Sequence, residues 1–241
     1  MNFEICPVDF FDRVFLLEAY MGKKIELKKI SVVAMLTAVA YLCMFLFKFK
    51  VGFLTFDFKD AFLAIISFIY GPFYSIISAI VVAFFEFLSV SDTGIYGFIM
   101  NALSSAVFAG TCGFVYKYKH TFSGAIFGAV SAVTITTVVM LLANLFITPY
   151  YMGVSRGDVA AMIPTLLLPF NLIKGVVNMG ITLIIYKPIT TALKKTRLIE
   201  SSVQNTDIKK FVIMGAIALI IVAFCIFSIF YFLHGSLELN L

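Results

Sequence analysis

The sequence predicts an all-α membrane protein, a bundle of six helices followed by one extra C-terminal transmembrane helix. Of the 241 residues, 62% are hydrophobic and 13% are charged, whereas soluble domains average roughly 45–50% and 25%. Apolar runs of about 20 residues, long enough to cross roughly 30 Å of hydrocarbon, recur along the chain. These observations exclude a soluble domain. The net charge of +5 does not indicate nucleic-acid binding, because in a membrane protein the positions of lysine and arginine report the orientation of the helices.

Five apolar runs have the length of a transmembrane helix: residues 30–48, 97–116, 121–147, 158–187 and 211–233. A sixth run, residues 61–89, is interrupted by Gly71-Pro72. Because proline kinks or breaks a helix, this run is either one kinked helix or two short helices joined by a tight turn.

The distribution of lysine and arginine favours two helices, since cytoplasmic loops carry the excess of these residues. With the run split and the N-terminus in the cytoplasm, thirteen of the 18 cations fall inside and four outside. With one helix, six fall inside and eleven outside. The inside set of the split topology is Arg13, Lys23, Lys24, Lys28, Lys29, Lys117, Lys119, Lys187, Lys194, Lys195, Arg197, Lys209 and Lys210, and the outside set is Lys48, Lys50, Lys59 and Arg156.

This topology divides the chain into four parts. Residues 1–24 are an accessory N-terminal segment with several acidic residues, and residues 25–195 form the six-helix membrane domain. Residues 196–210 are a polar cytoplasmic linker, and residues 211–233 are the extra helix, which carries no charge and is expected to face lipid. The chain is thus predicted to be a multi-pass protein of the cell membrane, with its N-terminus cytoplasmic and its C-terminus outside.

Two ionisable side chains lie inside apolar runs, and such groups are functional candidates because they cost roughly 2.5–3.5 kcal/mol at membrane depth. Glu86 lies near the outer end of its helix, where its carboxylate is expected to reach water or a lipid headgroup. Lys174 lies near the middle of the run 158–187. Lys174 is therefore the stronger indication of a site.

Asparagines accompany this lysine. Asn171 and Asn178 share its helical face, and the two preceding helices contribute Asn144 and Asn101. One interpretation is that these amides make hydrogen bonds between helices. The other, favoured by the lysine, is a polar pocket. Because asparagine both donates and accepts while lysine only donates, the pocket suits either a flat heterocycle with an amide-like edge or an anion.

Four sequence features resemble the membrane-embedded substrate-binding (S) component of energy-coupling-factor (ECF) vitamin transporters, most closely its riboflavin-specific branch. The resemblance covers roughly residues 25–195. The features are an AxxxA pattern in the first helix, an aspartate-containing stretch that opens the second, an outer loop motif, and a motif in the sixth helix: Ala34–Ala38, Phe56–Asp60, Thr148–Gly153 and Leu168–Lys174. The seventh helix and the acidic leader depart from the six-helix pattern of the family.

The resemblance implies a substrate-binding subunit of an ATP-driven importer, which captures riboflavin from outside. It implies that Asn144, Asn171 and Lys174 bind the flavin ring and that the loops around Leu54 and Met152 close the site. It also implies that Ala34 and Ala38 pack against a transmembrane coupling subunit, since small residues four apart allow helices to approach closely. Two ATPase subunits complete the expected partners, and riboflavin is the transported ligand, with no cofactor.

Other functions fit the sequence less well or leave the substrate open. An S component for another vitamin or precursor, including an anionic one, stays open because Lys174 suits a carboxylate or phosphate. An enzyme is not expected: His120 and His234 fall on opposite sides of the membrane, and the chain contains no HExxH or GxSxG motif. It also contains no Walker motif, so ATP hydrolysis must come from separate subunits. A purely structural bundle gains little from a buried lysine.

Overall fold

The computed structural model describes residues 7–90, 93–118, 121–196 and 198–199, with side chains from residue 27 onward. The predicted linker falls almost entirely outside these residues, and the predicted seventh helix, 211–233, falls entirely outside them. Within the described ranges the chain forms seven α-helical segments and one β-hairpin. They are α1 (Pro7–Leu46), β1 (Phe49–Val51), β2 (Leu54–Phe56), α2 (Lys59–Tyr70), α3 (Pro72–Val90), α4 (Gly94–Tyr118), α5 (Phe122–Met152), α6 (Arg156–Met162) and α7 (Leu168–Lys195).

Five helical stretches of the described chain are long and apolar enough to cross a membrane: Leu27–Leu46, Pro72–Val90, Gly94–Tyr118, Ser123–Met152 and Arg156–Lys195. Four of them correspond to predicted runs, the fifth, Pro72–Val90, is the second half of the split run, and the first half, α2, has only 12 residues. The stretch Arg156–Lys195 joins α6 to α7 through a π-helical turn, Ile163–Leu167. When α6, the π-helical turn and α7 are counted as one helix, the described residues form six helices. This confirms the predicted all-α bundle.

The split of the run 61–89 is confirmed. Helix α2 ends at Tyr70 and α3 begins at Pro72, and Gly71 between them has φ 96° and ψ 170°, a conformation that is essentially restricted to glycine. The start of α2 lies beside the end of α3, since Lys59 Nζ is 2.8 Å from Glu86 Oε2. The two helices therefore form an antiparallel hairpin.

Three local features differ from the sequence prediction. Helix α5 does not end before Thr148 but continues through Pro149 to Met152, where Gly153 adopts a left-handed conformation with φ 67°. The run 158–187 is not one regular α-helix, because the π-helical turn with Pro164 interrupts it. The segment between α1 and α2 contains an antiparallel hairpin in which Phe49 pairs with Phe56.

Small residues bring α4 and α5 together. Ala125, Ala129 and Ala132 recur at helical spacing on α5 and are fully buried, which permits close helix contact without a large side chain between the backbones. A Cβ atom added at Gly128 of α5 would lie 2.9 Å from the backbone carbonyl oxygen of Cys112 in α4. This crossing therefore has no space for a methyl group.

We predict that Gly128→Ala lowers stability by about 1–3 kcal/mol, the usual effect of overpacking a tight contact. Thermal unfolding in detergent should show a lower Tm. The matched control is Gly157→Ala in α6, where the nearest atom to an added Cβ is Ser155 Oγ at 3.5 Å, and its Tm should not fall. Equal Tm values for the two variants would contradict the tight α4–α5 crossing.

Candidate functional site

A polar cavity of about 60 Å³ lies between the β-hairpin and helices α4, α5 and α7. Its wall combines amides, hydroxyls and one ammonium group with aromatic rings. The lining residues are Phe53, Leu54, Thr55, Thr93, Tyr96, Gly97, Met100, Asn101, Ser104, Met140, Asn144, Tyr151, Phe170, Asn171 and Lys174. Such a mixture of apolar walls and a few convergent polar groups is typical of small-molecule sites.

Five of the seven residues predicted to bind the ligand line this cavity: Asn101, Asn144, Asn171, Lys174 and Leu54. Two do not, Asn178 and Met152, although Tyr151, next to Met152, is part of the wall. The cavity thus brings together residues from Phe53 to Lys174, which lie 121 positions apart in the chain.

Asn178 instead ties α7 to the start of α2. Its Nδ2 donates to the Asp57 carbonyl oxygen at 3.0 Å, and its Oδ1 accepts from the Ala61 backbone N–H at 3.1 Å. The Ala61 N–H lies in the first turn of α2, where N–H groups lack partners within their own helix. Asn178 is 1% exposed. Its amide therefore positions the segment that follows the hairpin.

Lys174 is ion-paired. Its Nζ lies 3.0 Å from Asp57 Oδ2 and donates to the Thr55 carbonyl oxygen at 3.3 Å. Lys174 is 7% exposed and Asp57 is 0% exposed. The cation identified in the sequence therefore reaches the cavity with a carboxylate already beside it.

Asp57 begins a chain of alternating charges that leads away from the cavity. Its Oδ2 is also 3.0 Å from Lys59 Nζ, which lies 2.8 Å from Glu86 Oε2. Glu86 Oε1 lies 3.1 Å from Lys48 Nζ. Lys59 is fully buried. The chain connects α7, the loop before α2, α2, α3 and the segment after α1.

The predicted position of Glu86 at a water or headgroup interface is wrong, because its side chain is 2% exposed and paired with two lysines. The sequence held a signal for this: Ser78 and Val82 precede Glu86 at intervals of four and are both buried, which puts all three on one face of α3. Lys59, expected in an outer loop, is also buried within the bundle.

The Asp57 carboxyl is ionised because of its neighbours. Burial alone would raise its pKa, but the charges of Lys174 and Lys59 and their hydrogen bonds outweigh burial and lower the pKa below the ordinary value. A second buried carboxyl, that of Asp60 in α2, accepts from Ser105 Oγ of α4 at 2.5 Å. Two acidic side chains at the start of α2 thus face α7 and α4.

Aromatic rings close the cavity near the hairpin tip. The Tyr151 ring lies 6.3 Å from that of Phe53 and 6.0 Å from that of Tyr96, measured between centroids. Apart from Asn101, the residues that α4 contributes to the cavity wall were not predicted from the sequence. Thr93, Gly97, Asn101 and Ser104 recur at intervals of three or four, a helical spacing that could have identified this face.

A second surface lies between α1 and α3. It is an apolar groove of about 520 Å³ whose wall includes both alanines of the AxxxA pattern, Ala34 and Ala38, together with Tyr41, Ile77 and Phe85. Both alanines are exposed. The groove lies apart from the polar cavity and shares no lining residue with it.

A bundle of membrane-length helices around a buried polar cavity defines a class, the membrane proteins that hold a small molecule among their helices. The comparisons identify the family. The model of the ECF transporter substrate-specific component matches residues 28–186. The riboflavin transporter RibU of Staphylococcus aureus (strain TCH60) is 31% identical over 179 residues, which cover 70% of this chain and 93% of that protein.

A solved structure of the S component of a bacterial ECF transporter superimposes with a TM-score of 0.60 at 29% identity, covering 70% of this chain and 99% of the other. The chain therefore belongs to the family of substrate-specific (S) components of ECF transporters. This confirms the resemblance stated from its motifs. The family is one of transport components.

We predict that Lys59→Met destabilises the bundle by about 3–5 kcal/mol, because it removes the cation shared by the buried carboxylates of Asp57 and Glu86. Thermal unfolding in detergent should show a marked fall in Tm. Lys28→Met is the control, since Lys28 is exposed on α1 and its loss should leave Tm nearly unchanged. A similar Tm for both variants would show that the buried chain of charges does not stabilise the fold.

Proposed function

We propose that this chain is the riboflavin-binding subunit of an ECF importer, which captures riboflavin from outside for ATP-driven uptake by a separate coupling module. One observation supports riboflavin most directly: Asn144, Asn171 and Lys174 line one cavity together with aromatic rings. The amides match the alternating donors and acceptors of a flavin ring edge, and the rings provide apolar walls for its faces. The relative named as a riboflavin transporter supports the same ligand.

The cavity must widen to take such a ligand. Its volume is about 60 Å³, whereas pockets for ligands of this size measure roughly 300–1,000 Å³. The contacts that close it involve the hairpin tip and the end of α5, where Phe53 meets Tyr151. We infer that these two segments move apart when riboflavin binds and return to cover it.

An anionic vitamin is the second candidate that the sequence left open. The ion pair between Lys174 and Asp57 counts against it, because the lysine charge is already compensated. A neutral ligand can still accept a hydrogen bond from the ammonium group. Riboflavin, which is uncharged at neutral pH, fits this electrostatic environment better than a carboxylate or phosphate.

We infer that the N-terminus is cytoplasmic, because the excess of lysine and arginine then lies on the inner side. The cavity, which lies beside the hairpin and the end of α5, then faces outward. We also propose, from the sequence prediction of a seventh helix alone, that the C-terminus lies outside. The α1–α3 groove with Ala34 and Ala38 is the proposed docking surface for the transmembrane coupling subunit, which works with two ATPase subunits.

We predict that Asn171→Ala and Lys174→Ala each weaken riboflavin binding about tenfold or more, since each removes a polar partner of the ligand inside the cavity. The measurement is the absorption spectrum of the purified protein in detergent, followed by titration with riboflavin. The wild type should be yellow or take up added riboflavin.

Thr134→Ala is the control for these variants, because Thr134 is exposed on α5 and its hydroxyl bonds only within its own helix, to the Val130 carbonyl oxygen. Its affinity should equal that of the wild type. Unchanged affinity in both cavity variants would exclude this cavity as the binding site. If the wild type does not bind riboflavin, the ligand is not riboflavin, and other vitamins would be tested in the same way.

We predict that Ala34→Trp or Ala38→Trp abolishes uptake while riboflavin binding stays intact, because a bulky ring on the exposed face of α1 prevents close helix contact. Cells that also contain a coupling module would be tested for uptake, and the purified variants for binding. Val130→Trp, on an exposed position of α5, is the control and should transport normally. Normal uptake by the α1 variants would show that the docking surface does not include Ala34 and Ala38.

A further inference from the structure

The charge that faces the cavity is governed by residues outside it. Lys174 is a lining residue, whereas Asp57, Lys59 and Glu86 do not line the cavity. Asp57 is the residue that links Lys174 to the others, since its Oδ2 lies 3.0 Å from both Lys174 Nζ and Lys59 Nζ. The net charge that a ligand meets therefore depends on Asp57 as much as on Lys174.

We propose that Asp57 determines the charge selectivity of the cavity: it compensates Lys174, so that the site accepts an uncharged ligand and disfavours an anion. This inference rests on the proposed function, because riboflavin is the uncharged ligand considered. It assigns the discrimination between neutral and anionic flavins to Asp57, a residue that does not line the cavity.

The geometry explains both halves of the selectivity. Lysine has three N–H donors, and Lys174 uses two of them, one toward Asp57 Oδ2 and one toward the Thr55 carbonyl oxygen. A third donor is left for a neutral acceptor of the ligand. An anion would have to share the ammonium with a carboxylate at close range, and the repulsion between the two negative charges is weakly screened because Asp57 is 0% exposed.

Removal of the Asp57 charge should reverse this balance. In Asp57→Asn, Lys59 keeps Glu86 as its partner at 2.8 Å, whereas Lys174 loses its only ion-pair partner within 4 Å among the described residues. The Asp60 carboxyl, which also interacts with Lys174, is the acidic group that remains near it. A buried cation that has lost its ion-pair partner attracts anions more strongly. Asp57→Asn is therefore expected to favour a phosphorylated flavin relative to riboflavin.

The test uses riboflavin and flavin mononucleotide, which have the same ring system and differ by a phosphate. Dissociation constants for both would be measured in detergent at low salt for the full-length wild type and for Asp57→Asn. The wild type should bind riboflavin more tightly. In Asp57→Asn the ratio of the flavin mononucleotide constant to the riboflavin constant should fall about tenfold or more.

Asn178→Ala is the matched control. It removes the hydrogen bond to the carbonyl oxygen of Asp57 and so disturbs the same segment without a change of charge. It should weaken both ligands by similar factors and leave the ratio unchanged. If Asp57→Asn behaves like Asn178→Ala, Asp57 has only a structural role and the inference is wrong, while riboflavin binding by the wild type still supports the proposed function.

Two further outcomes are decisive. A wild type that binds neither flavin would overturn the proposed function and this inference with it. If Asp57→Asn does not give a monodisperse protein, Glu86→Gln serves instead, because it neutralises the next anion of the chain and does not line the cavity. Its ratio should shift in the same direction by a smaller factor, and an unchanged ratio would exclude charge selection by the buried chain.

Discussion

The Asp57 carboxylate, held between the ammonium groups of Lys174 and Lys59, is the interaction on which the site depends. Three elements meet at this carboxylate: the loop that follows the hairpin, the start of α2 and the second turn of α7. A buried ion is stable only when its partners are all in place, because its desolvation costs several kcal/mol. The chain of charges therefore requires these elements to assemble together, and the cavity forms on one side of the assembly.

Most of the helical architecture could be predicted from the sequence, because membrane helices must be long and apolar. Gly71-Pro72 marked the position of the break, and the distribution of lysine and arginine favoured two helices over one kinked helix; the positive φ of Gly71 in the structure agrees with that choice. The end of α5 and the π-helical turn were missed. The apolar run ended at residue 147, yet α5 continues through Pro149, which removes only one backbone hydrogen bond near the end of the helix.

Apart from Leu54, which the family resemblance supplied, the site was predictable only where a polar side chain interrupts an apolar run. This contrast identified Lys174, Asn171 and Asn144, all of which line the cavity. Asp57 and Lys59 lie between two apolar runs, where charged residues are normally solvated, so their burial was not predicted although the stretch Phe56–Asp60 was part of the family resemblance. Their burial arises from long-range packing of α2 against α3 and α7, which periodicity within one helix does not report.

The base and the tip of the hairpin have different roles: the base is held by the ion pairs of the site, and the tip covers the cavity. At its base, the segment after β2 is fixed by the ion pairs of Asp57 and by the amide of Asn178. At its tip, Gly52 adopts a positive φ of 61° and Phe53 meets Tyr151 through an aromatic contact with ring centroids 6.3 Å apart. Breaking this apolar contact costs far less than breaking a buried ion pair. The tip can therefore move to admit a ligand while the charges that define the cavity stay in place.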